Sequence, residues 1–128
     1  MVLDSSALIS ILLEERGHEP LLEKAGGARA VFVGAPTALE TAIVLSARFR
    51  RDARPLLSGV LRRMNAEIVD FTEDHYDAAL SAFLRFGKGR HPAALNFGDC
   101  MSYALASVSG LPLLYAGSDF SKTDIQSA

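Results

Sequence analysis

Short apolar runs alternate with longer stretches of helical periodicity along the whole chain. Met1–Asp4 opens with three apolar residues suited to a central strand, and Ser5–Arg16 follows with Leu8, Ile11, Leu12 and Leu13 at helical spacing. Glu19–Lys24 reads as a short helix closed by Gly26-Gly27, and Ala30–Val33 as a buried strand. Pro36, suited to a first helical turn, opens a helix over Thr37–Phe49, and Pro55 opens another to Met64. Ile68-Val69-Asp70-Phe71 reads as a third strand, after which Thr72 caps a helix to Phe86 with Glu73 and Asp74 in its first turn. The loop Gly87-Lys88-Gly89-Arg90-His91-Pro92 precedes a helix over Gly98–Val108, and Leu113-Leu114-Tyr115 is the last strand. Strands alternating with helices predict an α/β sandwich around a mostly parallel sheet, with the ligand crevice beyond the carboxyl ends of the strands.

Composition narrows the picture. At 128 residues the chain is expected to form one domain over 1–128, and 49% hydrophobic with 22% charged residues excludes a disordered protein. The mean hydropathy of +0.19 is high for a small monomer, which points to a buried self-interface. No apolar run approaches the roughly 20 residues that span a bilayer. No signal peptide is expected at the N-terminus, where Asp4 interrupts the apolar opening, and the single Cys100 makes no internal disulfide. The expected location is the cytoplasm.

Net charge is −2, yet residues 48–63 carry six arginines against Asp52 alone, 6 − 1 = +5, which leaves −7 on the remainder. That asymmetry suits a protein that meets a polyanion on one face and holds a cation on another; a solvated arginine-rich helix pair is the plainer account.

Four acids stand where an unpaired charge is costly. Asp4 ends the first strand, Glu40 lies among Ala38, Leu39, Ala42, Ile43 and Val44, Asp99 sits near a helix start, and Asp119 follows the last strand. Burying such carboxylates unpaired raises their pKa or destabilises the fold, and a shared divalent cation removes that cost. A cluster of carboxylates without histidine or thiolate selects hard cations, Mg²⁺ with Mn²⁺ as substitute. An aspartyl phosphotransferase shares such an acidic edge, but Ser6 occupies the position where many such enzymes need a second Asp. Ser5 and Ser6 are placed to cap the first helix or to hold a ligand oxygen.

The joint pattern resembles the PIN-domain family, and closely its VapC-type branch of ribonuclease toxins. The segments that carry it are Val2-Leu3-Asp4-Ser5-Ser6-Ala7-Leu8, Leu39-Glu40-Thr41-Ala42, residues 87–92 leading into Leu95-Asn96-Phe97-Gly98-Asp99-Cys100, and Asp119-Phe120-Ser121-Lys122-Thr123-Asp124-Ile125. The resemblance implies a three-layer α/β/α sandwich and a Mg²⁺-dependent endoribonuclease with Asp4, Glu40, Asp99 and Asp119 as catalytic metal ligands. It also implies a homodimer, RNA as substrate, and a cognate VapB-type antitoxin whose C-terminal segment enters the site. A catalytically silent PIN-like module that binds RNA or a partner is the alternative. Ser118 stands where many relatives carry a polar or acidic residue, and the short tail to Ala128 leads us to expect a frayed sheet edge.

Ser6, Asn96, Lys88 and Arg90 are the candidate substrate contacts, with helix-entry hydrogen bonding the competing use of Asn96. Asp124 is either a support for the metal ligands or a partner in a local turn or salt bridge. His18, His75 and His91 show no ligand spacing, and Cys100 reads as a core thiol. Phe83, Phe86, Phe97, Tyr103 and Tyr115 are expected in the core, as are Leu56, Leu57, Val60 and Leu61 unless a partner helix covers them.

Overall fold

A computed structural model describes residues 1–128. The elements run β1 (Val2–Leu3), α1 (Ser5–Leu12), α2 (His18–Gly26), β2 (Val31–Gly34), α3 (Ala35–Phe49) and α4 (Arg54–Arg63) in the first half. β3 (Ala66–Val69), α5 (Glu73–Phe86), α6 (Phe97–Ser109) and β4 (Leu113–Leu114) follow, with a 3₁₀ turn at Phe120–Lys122. The sheet has the order β3-β2-β1-β4, and every pairing is parallel. All four strands therefore end on one edge, and each connection returns through helices.

Alternation along the strands divides the core into two layers, because successive side chains point to opposite faces. Val2, opposite Phe32 and Leu113 in register, packs with Ala82, Phe86, Tyr103 and Ala104 of α5 and α6. Leu3, Val31, Val33 and Leu114 face the other way, onto Leu8 of α1, Ala25 of α2 and Leu57 and Leu61 of α4. The sheet is thus covered on both faces, the arrangement that all-parallel sheets require.

Several boundaries depart from the sequence expectation for identifiable reasons. α1 stops at Leu12 rather than Arg16: Glu14 adopts φ 50° and Gly17 φ 89°, and past Leu13 no apolar residue remains to bury. β3 begins two residues before Ile68, since its register with β2 runs from Val31↔Ala66 to Gly34↔Val69. As an edge strand it leaves Glu67 and Ile68 in solvent, and Phe71 packs beyond it against the α5–α6 layer. The frayed edge is not seen. Leu113 N–H donates to the Gln126 carbonyl at 2.9 Å, Ala128 N–H donates back to Leu113 at 3.0 Å, and a parallel bridge joins Leu113 to Ser127.

Leu57, Val60 and Leu61 are buried as core, so the α4 apolar residues offer no free patch apart from half-buried Leu56. The aromatic expectation fails at two positions: Phe97 is 80% exposed and Phe83 is 38% exposed, whereas Phe86 and Tyr103 are buried.

Candidate functional site

The carboxyl edge of the sheet gathers all four acids. Asp4 directly follows β1 and is buried, held there by its own N–H donating to the Leu114 carbonyl at 2.9 Å. Its Oδ2 accepts the Ser6 N–H at 2.9 Å and the Ser6 hydroxyl at 2.5 Å, which makes Asp4 the N-cap of α1. Ser6 Oγ in turn accepts the Ala116 N–H at 3.0 Å, so one hydroxyl ties the end of β1 to the segment after β4. Its donor is spent on Asp4, which accounts for Ser6 architecturally. Asp4 Oδ1 has no hydrogen-bond partner although it is buried.

Glu40 points from the early part of α3 toward the start of α6. A Cβ added to Gly98 would lie 2.6 Å from Glu40 Oε2 and 2.7 Å from its Cδ, so the carboxylate occupies the space that a side chain would need. Glu40 Oε2 is also buried without a partner. Burial raises the Glu40 pKa, with the Ser5 hydroxyl opposing and the Asp4 charge adding to the rise. Gly98 is the site residue the sequence reading passed over; its signal was a glycine one position before Asp99 inside a helical first turn, where glycine is a poor helix former.

Asp99 is set by a capping box at the head of α6. The Asn96 N–H donates to Asp99 Oδ2 at 2.8 Å, and the Asp99 N–H donates to Asn96 Oδ1 at 2.9 Å. Asn96 therefore orients Asp99, as helix-entry bonding allows. Burial pushes the Asp99 carboxyl up to about 6; the Asn96 hydrogen bond opposes, and Asp4, Asp119 and Glu40 each add repulsion. Asp4, Asp119 and Glu40 therefore lie near enough to Asp99 for their charges to oppose its ionisation. Asp119 lies on the exposed loop after β4, anchored by buried Phe120 beside it.

No group of three acidic, histidine or cysteine side chains stands disposed to hold a metal ion. Magnesium suits such an open arrangement, since it keeps several waters and takes one or two protein carboxylates. The two orphaned buried oxygens, on Asp4 and Glu40, are acceptors that a cation or its waters would satisfy.

The remaining candidates lie elsewhere. Lys88 and Arg90 are exposed in the loop after α5, and the Arg90 guanidinium sits 5.6 Å from the Phe83 ring centre. Asp124 faces away from the acids: its Oδ1 accepts the Tyr103 hydroxyl at 2.6 Å and its Oδ2 pairs with Arg85 at 2.7 Å. Both hold Asp124 below the usual carboxylate range, the tyrosine more strongly. This tie fastens the segment after Asp119 to α5 and α6. His75 serves α5 instead of a metal, its Nδ1 accepting the Thr72 N–H at 3.0 Å. Cys100 is buried, and its thiol is pushed up to about 11 by burial and by Asp99.

An apolar groove of about 570 Å³ opens between α5 and the start of α6, lined by Pro36, Tyr76, Leu80, Phe83 and Phe97 among others. Leu39, Ile43 and Val44 on α3 are also exposed, whereas Ala38 and Thr41 on either side of Glu40 are buried, so one side of α3 is an uncovered apolar face.

A family model for the PIN domain matches residues 1–126. A ribonuclease VapC of Mycolicibacterium smegmatis is 47% identical over 126 residues, covering 98% of this chain and 97% of that protein. The ribonuclease VapC36 of Mycobacterium tuberculosis is 43% identical over 127 residues, covering 98% of this chain and 91% of its own. Among solved structures, VapC20 of Mycobacterium tuberculosis, a sarcin-ricin-loop-cleaving toxin, superposes with a TM-score of 0.78 at 17% identity, over 99% of this chain and 97% of that one. A toxin–antitoxin complex from Klebsiella pneumoniae gives 0.70 at 16% identity, over 96% and 92%. At such identities the structures speak for the fold, while the two sequence relatives and the family match speak for descent: the chain belongs to the PIN-domain family, on its VapC-type branch.

Proposed function

We propose that this protein is a Mg²⁺-dependent endoribonuclease, with Mn²⁺ as substitute, and the toxin half of a toxin–antitoxin pair. The observation that carries this reading is the pair of buried, unpartnered oxygens on Asp4 and Glu40 beside an Asp99 carboxyl raised to about 6. Such a cluster is unfavourable as bare protein and favourable around a divalent ion. Asp4, Glu40, Asp99 and Asp119 would hold the ion. Bound there, Mg²⁺ supplies Lewis acidity that lowers the pKa of a water and offsets charge on the phosphoryl oxygens.

The chain's own groups do the positioning. Ser6 and the capping box of Asn96 lock two carboxylates before substrate arrives, and the bare Cα of Gly98 sets the reach of Glu40. Water attacks phosphorus, its oxygen forming the new P–O bond as the bond to one ribose oxygen breaks. The attacking water would give up its proton to solvent, and the departing oxygen would be protonated from solvent.

The apolar groove with Leu39, Ile43 and Phe97 supports a homodimer in which a second copy covers this face. A VapB-type antitoxin would inhibit by laying a segment with a basic side chain over the acids. Both proposals accord with the uncovered apolar face bordering a negative site.

Purified protein freed of antitoxin, incubated with total cellular RNA and Mg²⁺, is expected to give discrete fragments. Chelator and the Asp99→Asn variant should each abolish them. Cleavage that survives Asp99→Asn rejects the site, and intact RNA with folded wild-type protein favours a silent binding module.

A further inference from the structure

Positive charge gathers at the end of the sheet opposite the carboxylates. α3 leaves the carboxyl edge at Ala35 and returns toward the amino edge, so its last residue, Phe49, lies about 14 Å along the helix axis from Glu40. Arg48, Arg50 and Arg51 cluster there. α4 starts beside them and finishes with Arg62 and Arg63, just ahead of β3. Arg29 stands two positions before β2, whose Val31 pairs with Ala66, so it joins Arg62 and Arg63 on the same edge.

All six arginines are exposed and none pairs with a carboxylate, whereas the adjacent Arg54 is neutralised by Asp52 at 2.7 Å. Between residues 48 and 67 the acids are Asp52, already engaged, and Glu67. The Arg51 guanidinium lies 5.9 Å from the Phe49 ring centre, so aromatic surface adjoins the charge. Unpaired like charges repel one another, and a polyanion relieves that repulsion. At the other pole, four carboxylates repel phosphate, so affinity for a nucleic-acid backbone has to come from elsewhere on the surface.

We infer that the corner formed by Arg29, Arg48, Arg50, Arg51, Arg62 and Arg63 is a docking surface for the phosphate backbone of the RNA substrate, remote from the cleavage site. The inference rests on the ribonuclease reading above. It adds a requirement on the substrate: the RNA must extend several nucleotides beyond the scissile phosphate to engage both poles. An acidic peptide is the competing occupant, but the spread of the charge along an edge, with aromatic surface beside it, favours a nucleic-acid strand.

The test compares the wild-type protein with the triple variants Arg48→Gln/Arg50→Gln/Arg51→Gln and Arg48→Lys/Arg50→Lys/Arg51→Lys. Binding of fluorescein-labelled poly(U) is measured in chelator, where nothing is cut, across a salt series. The glutamine variant should lower the slope of log affinity against log salt by about 2, and the lysine variant should restore it. Cleavage is then measured on a long RNA and on the shortest oligonucleotide spanning its cut site that is still cleaved. The glutamine variant should cut the long RNA at least about tenfold more slowly and the short one at the wild-type rate. An unchanged salt slope overturns the docking surface. So does loss of poly-glutamate binding with poly(U) binding intact, which assigns the corner to an acidic partner. A slope that falls as expected while wild-type protein cuts no RNA supports the docking surface and rejects the ribonuclease reading instead.

Discussion

Gly98→Ala separates the geometry of the acidic site from the stability of the fold. In an exposed helix, replacing glycine by alanine stabilises by about 0.5–1 kcal/mol, because alanine loses less backbone entropy on folding. Here the new Cβ would lie 2.6 Å from Glu40 Oε2 and 2.7 Å from its Cδ, well inside contact distance. The obstacle is the end of a flexible side chain, so Glu40 swings aside by about 1 Å and leaves the backbone in place. The two effects on stability nearly cancel, and the unfolding free energy from denaturant titration should change by less than about 1 kcal/mol. Cleavage should fall by about 100-fold, the scale expected when a site group is displaced by about 1 Å. The cycle with Glu40→Ala isolates the contact. In that background Gly98→Ala has nothing to displace, so it should stabilise by about 0.5–1 kcal/mol and leave the residual activity unchanged. Wild-type cleavage by Gly98→Ala, or the same loss of stability with and without the Glu40 carboxylate, would refute the reasoning.

Other perturbations read out other parts of the structure. Asp99 titrates near 6 in the fold against 3.8 in its reference state, so the folded protein binds more protons across that window and loses stability as pH rises through it. A fully buried carboxyl would give about 3 kcal/mol; discounted for its solvent-facing part, about 1–2 kcal/mol should separate urea unfolding near pH 4 from pH 7 in chelator. Asp99→Asn should flatten that slope, and so should saturating Mg²⁺. Tyr103→Phe removes the hydroxyl that donates to Asp124 at 2.6 Å, and should cost about 1–2 kcal/mol in denaturant unfolding, with Arg85 still holding the other oxygen. Phe97→Ser removes the most exposed aromatic ring of the apolar face, 80% in solvent; if this face carries the proposed dimer, the variant should have a lower mass than wild type in light scattering at equal concentration. A monomeric wild type, or an unchanged mass, would reject that dimer contact.

Local chemistry determined much of this protein before tertiary structure entered. Short apolar runs located the strands and period-3.6 patterns the helices, because a central strand is buried on both faces and a helix on one; Pro36 and Thr72 marked helix starts, since a fixed φ and a short polar side chain act within one turn. The order of Asp4, Glu40, Asp99 and Asp119 was legible because strand ends and helix heads in a parallel sheet converge on one edge. What the sequence left open depends on contacts between distant segments. The carboxylate of Glu40 rests on Gly98, 58 positions away in the chain (98 − 40), and periodicity carries no record of that contact. Asp124 was ambiguous until Tyr103 and Arg85 were seen to claim both its oxygens. Phe97 and Phe83 read as core because apolar residues are usually buried, yet only the packing of α5 and α6 against the sheet decides which apolar faces are left over. The tail paired with Leu113 for the same reason: an edge strand takes whatever backbone the fold delivers beside it.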